Sequence, residues 1–121
     1  MEPGFEIVVR PGDVINGDLQ QVAPGYWNYT LTDLTSGQVA TSSSPIAYQG
    51  PGSSAEWIEE DPGDQVLPFT DFGSIVFSNL NVNGSAPTLD PSDNDLNMIQ
   101  KGQLEGQPSL FGNDAFSVSY Q

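Results

Sequence analysis

The sequence predicts an all-β fold, an antiparallel β-sandwich or jelly roll. Three observations carry this: a turn-rich composition, strand-length runs that alternate with period two, and turn residues between those runs. The 121 residues include 13 Gly and 10 Pro, and apolar residues make up 36%. That mix suits short strands joined by tight turns and opposes long helices. The length allows one modest core, so residues 1–121 are expected to form a single β-sandwich domain. Two sheets packed face to face give each strand one buried face, which is what the alternation asks for.

In chain order, Phe5-Glu6-Ile7-Val8-Val9 reads as a strand closed by Arg10-Pro11-Gly12-Asp13. A second strand is expected from Val14 to Val22, bent at Gly17, with a turn at Ala23-Pro24-Gly25. The clearest alternation follows, with Trp27, Tyr29 and Leu31 against Tyr26, Asn28, Thr30 and Thr32. Asp33-Leu34-Thr35-Ser36-Gly37 is a hairpin turn, and Gln38 to Ser44 is expected to pair back. Residues 45–54 read as a Pro/Gly/Ser loop and Ala55 to Glu59 as a short strand. After a turn at Asp61-Pro62-Gly63-Asp64, strands are expected at Phe72–Asn79, Leu96–Lys101 and Ala115–Tyr120. Between them lie a polar loop at 81–95 and a Gly/Pro-punctuated stretch at 102–113.

Sixteen acidic residues face two basic ones, Arg10 and Lys101, with no His, for a net charge of -14. Such a polyanion is repelled by nucleic acid and by anionic membranes, so neither is an expected partner. No apolar stretch is long enough to span a bilayer, and the first residues lack the basic and apolar regions of a signal peptide. The plain reading of the acidity is solubility. The sharper reading is acid tolerance. Once the carboxylates are protonated, only Arg10, Lys101 and the amino terminus stay charged, and no buried His can ionise. Paired native carboxylates would remain a weakness. Cys is absent, which excludes disulfides and thiol chemistry. With neither Cys nor His, no metal site and no cofactor is expected.

Catalysis must then rest on carboxylates, amides, hydroxyls, Tyr or Lys101. The most informative segment is Ala55-Glu56-Trp57-Ile58-Glu59-Glu60-Asp61-Pro62. Alternation places Glu56 and Ile58 on one face and Trp57 and Glu59 on the other. If Trp57 fills the core, Glu56 looks outward, where a carboxylate can sit in a groove. A solvated strand Glu beside a core Trp is the simpler reading of these residues alone.

This octet resembles the signature around the catalytic glutamate of the eqolisins, the acid-acting glutamic endopeptidases. Leu67-Pro68-Phe69-Thr70-Asp71-Phe72-Gly73-Ser74-Ile75-Val76-Phe77 is similar to the family's next strand and its lead-in. Pro11-Gly12-Asp13-Val14-Ile15 and Asp33-Leu34-Thr35-Ser36-Gly37-Gln38 resemble the preceding strands and hairpin, and Phe116-Ser117-Val118-Ser119-Tyr120 resembles the last strand. The resemblance implies a concanavalin-like sandwich, secretion, a polypeptide substrate and peptide-bond hydrolysis in acid. It makes Glu56 the general base that activates water. In the family a Gln amide holds that water and donates to the oxyanion. That Gln lies upstream of the segments matched here, and none of Gln20, Gln21, Gln38 and Gln49 sits in a matching motif. The resemblance is therefore to the C-terminal portion of the domain, and an N-terminal chain or a second copy is expected to complete the sheets. Glu59 stands where Val is expected, and a charge there is costly if buried.

Two other readings compete. A sheet bearing Tyr26, Trp27 and Tyr48 would suit a non-catalytic module for peptide or glycan, and a structural β-domain would use its acidity only for solubility. Asp71-Phe72-Gly73 spells a kinase triplet without its companion motifs. Asp93-Asn94-Asp95-Leu96-Asn97 opens like a calcium loop, but Met98 and Leu104 stand where Gly and Glu are needed. Asn28-Tyr29-Thr30 and Asn83-Gly84-Ser85 match the glycosylation pattern.

Overall fold

A computed structural model of the chain describes residues 6–60, 70–90 and 97–121. Phe5, the turn expected at 61–64, the lead-in at 67–69 and the acidic stretch at 91–96 lie outside them. Every regular element among the described residues is a strand, and every ladder is antiparallel. The chain divides into two compact units, Met1–Ser53 and Ser54–Gln121.

The first unit holds β1 (Ile15–Ala23), β2 (Tyr26–Asp33), β3 (Val39–Thr41) and β4 (Ile46–Ala47). β2 is central: β1 pairs along one side, and β3 and β4 follow one another along the other. Pro24-Gly25 makes the β1–β2 turn, with Gly25 at a φ of 74°, a conformation that favours glycine. The irregularity in β1 falls between Gln21 and Ala23, not at Gly17. Gly17 keeps its register opposite Leu31, whose Cδ2 would lie 3.6 Å from a Cβ there. A Cβ there would make only an ordinary van der Waals contact with Leu31, and the ladder runs through Gly17 without a break.

Two expected strands are shorter or absent. Residues 6–10 form no strand, because a side chain takes the place of a ladder partner. Val8 N–H donates to Gln38 Oε1 at 3.2 Å, and Gln38 Nε2 donates to the Val8 carbonyl at 3.3 Å. The return expected from Gln38 to Ser44 is only β3, and pairing resumes at β4. Pro45, with no N–H to give, lies in the gap.

The second unit holds β5 (Ser74–Phe77), β6 (Met98–Gln100), β7 (Gln103–Gly112) and β8 (Ala115–Tyr120), in the order β5-β8-β7-β6. The kinase-like triplet is an Asx turn that opens β5: Gly73 N–H donates to Asp71 Oδ1 at 2.9 Å. The stretch 102–113, expected to be irregular, contains the longest strand, β7, despite Pro108. Gln121 N–H donates to the Glu105 carbonyl, so odd-numbered β7 residues direct their hydrogen-bonding groups to β8. Pro108 therefore turns its N-side away from β8, toward the β6 side, where the described pairing stops at Gly106. The ladder loses nothing by its missing N–H.

One face of this sheet carries the core. Pro108 lies opposite Val118, Leu110 opposite Phe116, and Phe77 opposite Phe116. Phe77 and Phe116 stack with ring centroids 4.8 Å apart. Leu80, Phe116 and Val118 are buried, and Trp57, Phe72, Phe77, Leu89 and Leu110 pack against them. Phe116, Val118 and Tyr120 share one face of β8, as expected from their spacing.

Candidate active site

The site begins with the extended segment 54–60. It was expected to be a strand from Ala55 to Glu59, but no ladder partner pairs with it among the described residues. A strand needs a hydrogen-bonding neighbour, and this stretch keeps only the period-two habit of one. Trp57 and Glu59 are half-buried, while Glu56, Ile58 and Glu60 are exposed. The cause is Trp57, which packs against the Leu80–Phe116–Val118 cluster and sets the parity of its neighbours.

Between this segment and the sheet lies a hollow of about 870 Å3. Its floor is apolar, with Met98, Gly106, Pro108, Leu110, Phe116 and Val118. Gly106 shapes that floor: a Cβ there would sit 3.5 Å from the Met98 Cβ and 3.7 Å from Val118 Cγ1. Residues 54–60 form one wall, and Val82, Pro87, Leu89 and Asp90 contribute to another.

Glu56 lines the hollow and is exposed. Ser54 Oγ donates to Glu56 Oε1 at 3.2 Å. In an extended chain, residues two apart share a face, so the Ser-x-Glu spacing brings hydroxyl and carboxylate together without tertiary help. The spacing was present in the sequence, but the role of Ser54 is visible only once the segment is seen to be extended. Glu59, on the Trp57 side, is pushed above its ordinary carboxyl value by burial. Its charged form is disfavoured, as expected for an acid where an apolar residue would fit.

The four glutamines named from the sequence all lie in the first unit. Gln20 and Gln21 are exposed on β1. The Gln38 amide is engaged by Val8 and Ser36. Gln49 lies against Gly25, where an added Cβ would meet its Nε2 at 2.8 Å. The aromatic platform does not form on a single face. Trp27 lies opposite Ile46 while Tyr26 lies opposite Ala47, so strand alternation puts Trp27 and Tyr26 on opposite sides of the sheet.

The pattern of the Peptidase A4 family matches residues 3–120, nearly the whole chain. The chain belongs to the Peptidase A4 family. It is 31% identical over 120 residues to Aspergillopepsin-2 of Aspergillus niger, with 95% of this chain covered. It spans 42% of the length of that relative. It is also similar to the crystal structure of aspergilloglutamic peptidase from Aspergillus niger, at a TM-score of 0.73 and 29% identity. That likeness covers 96% of this chain and 71% of the solved one. The fold class of this Peptidase A4 member is thus the antiparallel β-sandwich expected from its sequence. Glu56, Ser54 and the hollow all fall inside the matched region.

Proposed function

We propose that this chain is the glutamate-bearing part of an acid-acting glutamic endopeptidase, with Glu56 as the general base that activates water against a peptide bond. The observation that carries the reading is an exposed Glu56 at the wall of a hollow, held by Ser54, within a Peptidase A4 match. The similarity to a glutamic peptidase supports the same assignment.

A general base works best when the ordinary range of its acid lies near the working pH, and for a carboxyl that range is about 4. In acid, the carboxylate takes a proton from water as the water oxygen attacks the carbonyl carbon. The same proton then passes to the departing amine. Ser54 fixes one carboxylate oxygen and leaves the other to meet the water. The developing oxyanion needs a neutral donor, worth about 3 kcal/mol to the transition state. Our reading assigns that donor to a Gln amide supplied by polypeptide outside these residues, and assigns the mature protein to the extracellular space. The substrate is a polypeptide. Residues 1–121 act as part of one β-sandwich domain.

The test is a pH–rate profile with a denatured protein substrate, using this chain together with the remainder of a Peptidase A4 domain. The proposal expects a maximum near about pH 3 to 5 and loss of activity toward neutrality. A maximum at neutral pH would remove the carboxylate-base reading.

A further inference from the structure

The two Asn-x-Ser/Thr triplets of this chain sit in opposite surroundings. Asn28-Tyr29-Thr30 lies inside β2, the central strand of its sheet. Asn28 pairs with Gln20 of β1 and is half-buried, with its Oδ1 shut away from solvent. The hydroxyl of the triplet, Thr30 Oγ1, lies 3.0 Å from Thr41 Oγ1 on β3.

Asn83-Gly84-Ser85 lies at a tip instead. Val82 N–H donates to the Ser85 carbonyl at 2.8 Å, and Ser85 N–H donates to the Val82 carbonyl at 3.1 Å. Asn83 and Gly84 fill the two corners between them with φ values of 52° and 84°. Positive φ at both corners suits the Asn-Gly pair of a tight hairpin turn. Asn81 Oδ1 accepts from Gly84 N–H at 2.9 Å and braces the turn from the preceding residues. The bonds that hold the turn are thus made by backbone groups and by Asn81. Asn83, Gly84, Ser85 and Ala86 are all exposed, and a Cβ built on Gly84 meets nothing within 4 Å.

We propose that Asn83 is a site of N-linked glycosylation, with an oligosaccharide on its side-chain amide, and that Asn28 is not. The proposal rests on the extracellular assignment above, because the sugar donor, an isoprenoid-pyrophosphate oligosaccharide, meets chains on their way out of the cell. In the transfer, Asn83 Nδ2 forms a bond to the anomeric carbon of the sugar. The bond from that carbon to the pyrophosphate oxygen breaks, and the pyrophosphate leaves with the electron pair. The amide proton passes to a base of the transferase, and nothing is oxidised or reduced. The Ser85 hydroxyl is the second group the transferase reads. Transfer precedes folding, so the fold decides which modified chain can mature. A bulky, solvated sugar at the tip of this turn displaces nothing. On Asn28 it would stand in the middle of β2, where β1 and β3 must pair on either side.

The test is peptide mapping of the protein isolated from the growth medium of its source organism. Enzymatic release of N-linked sugars in heavy-oxygen water turns each modified Asn into a labelled Asp. Label is expected at position 83 and none at position 28. Ser85→Ala removes the hydroxyl and none of the bonds that hold the turn, so this variant should reach the medium without the label. Ser85→Thr restores a hydroxyl and should restore the label. A secreted wild-type chain with Asn83 unmodified overturns the proposal, as does label at Asn28 or label at 83 that survives Ser85→Ala. A chain found only inside the cells overturns the extracellular assignment and the proposal with it, so the two failures are told apart.

Discussion

Replacing Trp57 and Ile58 one at a time by Ala tests the orientation that puts Glu56 on the accessible side. The two residues are adjacent but differ in environment: Trp57 is half-buried against the core cluster, and Ile58 is 62% exposed. A fully buried Trp removes about 150–250 Å2 from water, so a half-buried one removes about 100 Å2, worth about 2.5 kcal/mol at about 25 cal/mol per Å2. The hollow beside Trp57 lets neighbours and water relax into the space, which keeps the cavity penalty small. Full burial of Ile is worth about 1.5–3 kcal/mol, and the third that is buried here about 0.5–1 kcal/mol. Trp57→Ala should therefore cost about three times as much as Ile58→Ala. Urea unfolding followed by far-UV circular dichroism measures both. In a chain of this size each kcal/mol moves the melting temperature by about 3–6 °C, so a thermal scan separates them too. Equal costs, or a larger cost for Ile58→Ala, would refute the reasoning. Ile58 shares its parity with Glu56, so that result would also turn Glu56 inward.

Other consequences are sharp enough to measure. Burial raises Glu59 above its ordinary value of 4.5. The fold then binds protons more readily than the unfolded chain, so stability is greatest below that value and declines as pH rises through the raised one. Glu59→Gln should match wild type at about pH 3 and exceed it near neutrality in a melting-temperature series. Ser54→Ala removes one hydrogen bond to an exposed carboxylate, so kcat/KM should fall by about threefold to tenfold with little change in stability. In the β6–β7 turn, Lys101 and Gly102 have φ values of 50° and 78°, between Gln100 and Gln103. Gly102→Ala should cost about 1 kcal/mol in urea unfolding, because only glycine adopts that φ freely.

Much of the fold was legible in the sequence because period-two alternation is local. The β2 pattern, the Pro24-Gly25 turn, the Asp33–Gly37 hairpin and the inward face of β8 are written in neighbouring residues. The misses have long-range causes. Among the described residues, 6–9 of the strand expected at 5–9 form none, because Gln38, 30 residues away from Val8, supplies side-chain bonds in place of a ladder. β7 was hidden by Pro108, which is harmless only because of which neighbour its N-side faces, a fact of sheet order. Asn83-Gly84, read as loop, is a tight turn closed by the Val82–Ser85 bridge, and the Asn-Gly pair was its available signal. At the site, the parity of Glu56 and Trp57 was readable from alternation. The hollow was not, since its floor comes from β6, β7 and β8, more than 35 residues beyond Glu56.

The central claim is that the carboxyl group of Glu56, and not a neighbouring one, takes the proton from water. Single-turnover cleavage of a denatured protein at about pH 3.5 should compare Glu56→Gln, Glu59→Gln and Glu60→Gln in the assembled domain. The account predicts a loss of about a thousandfold or more for Glu56→Gln and rates within about threefold of wild type for the other two. A Glu56→Gln protein that cleaves at the wild-type rate would contradict it.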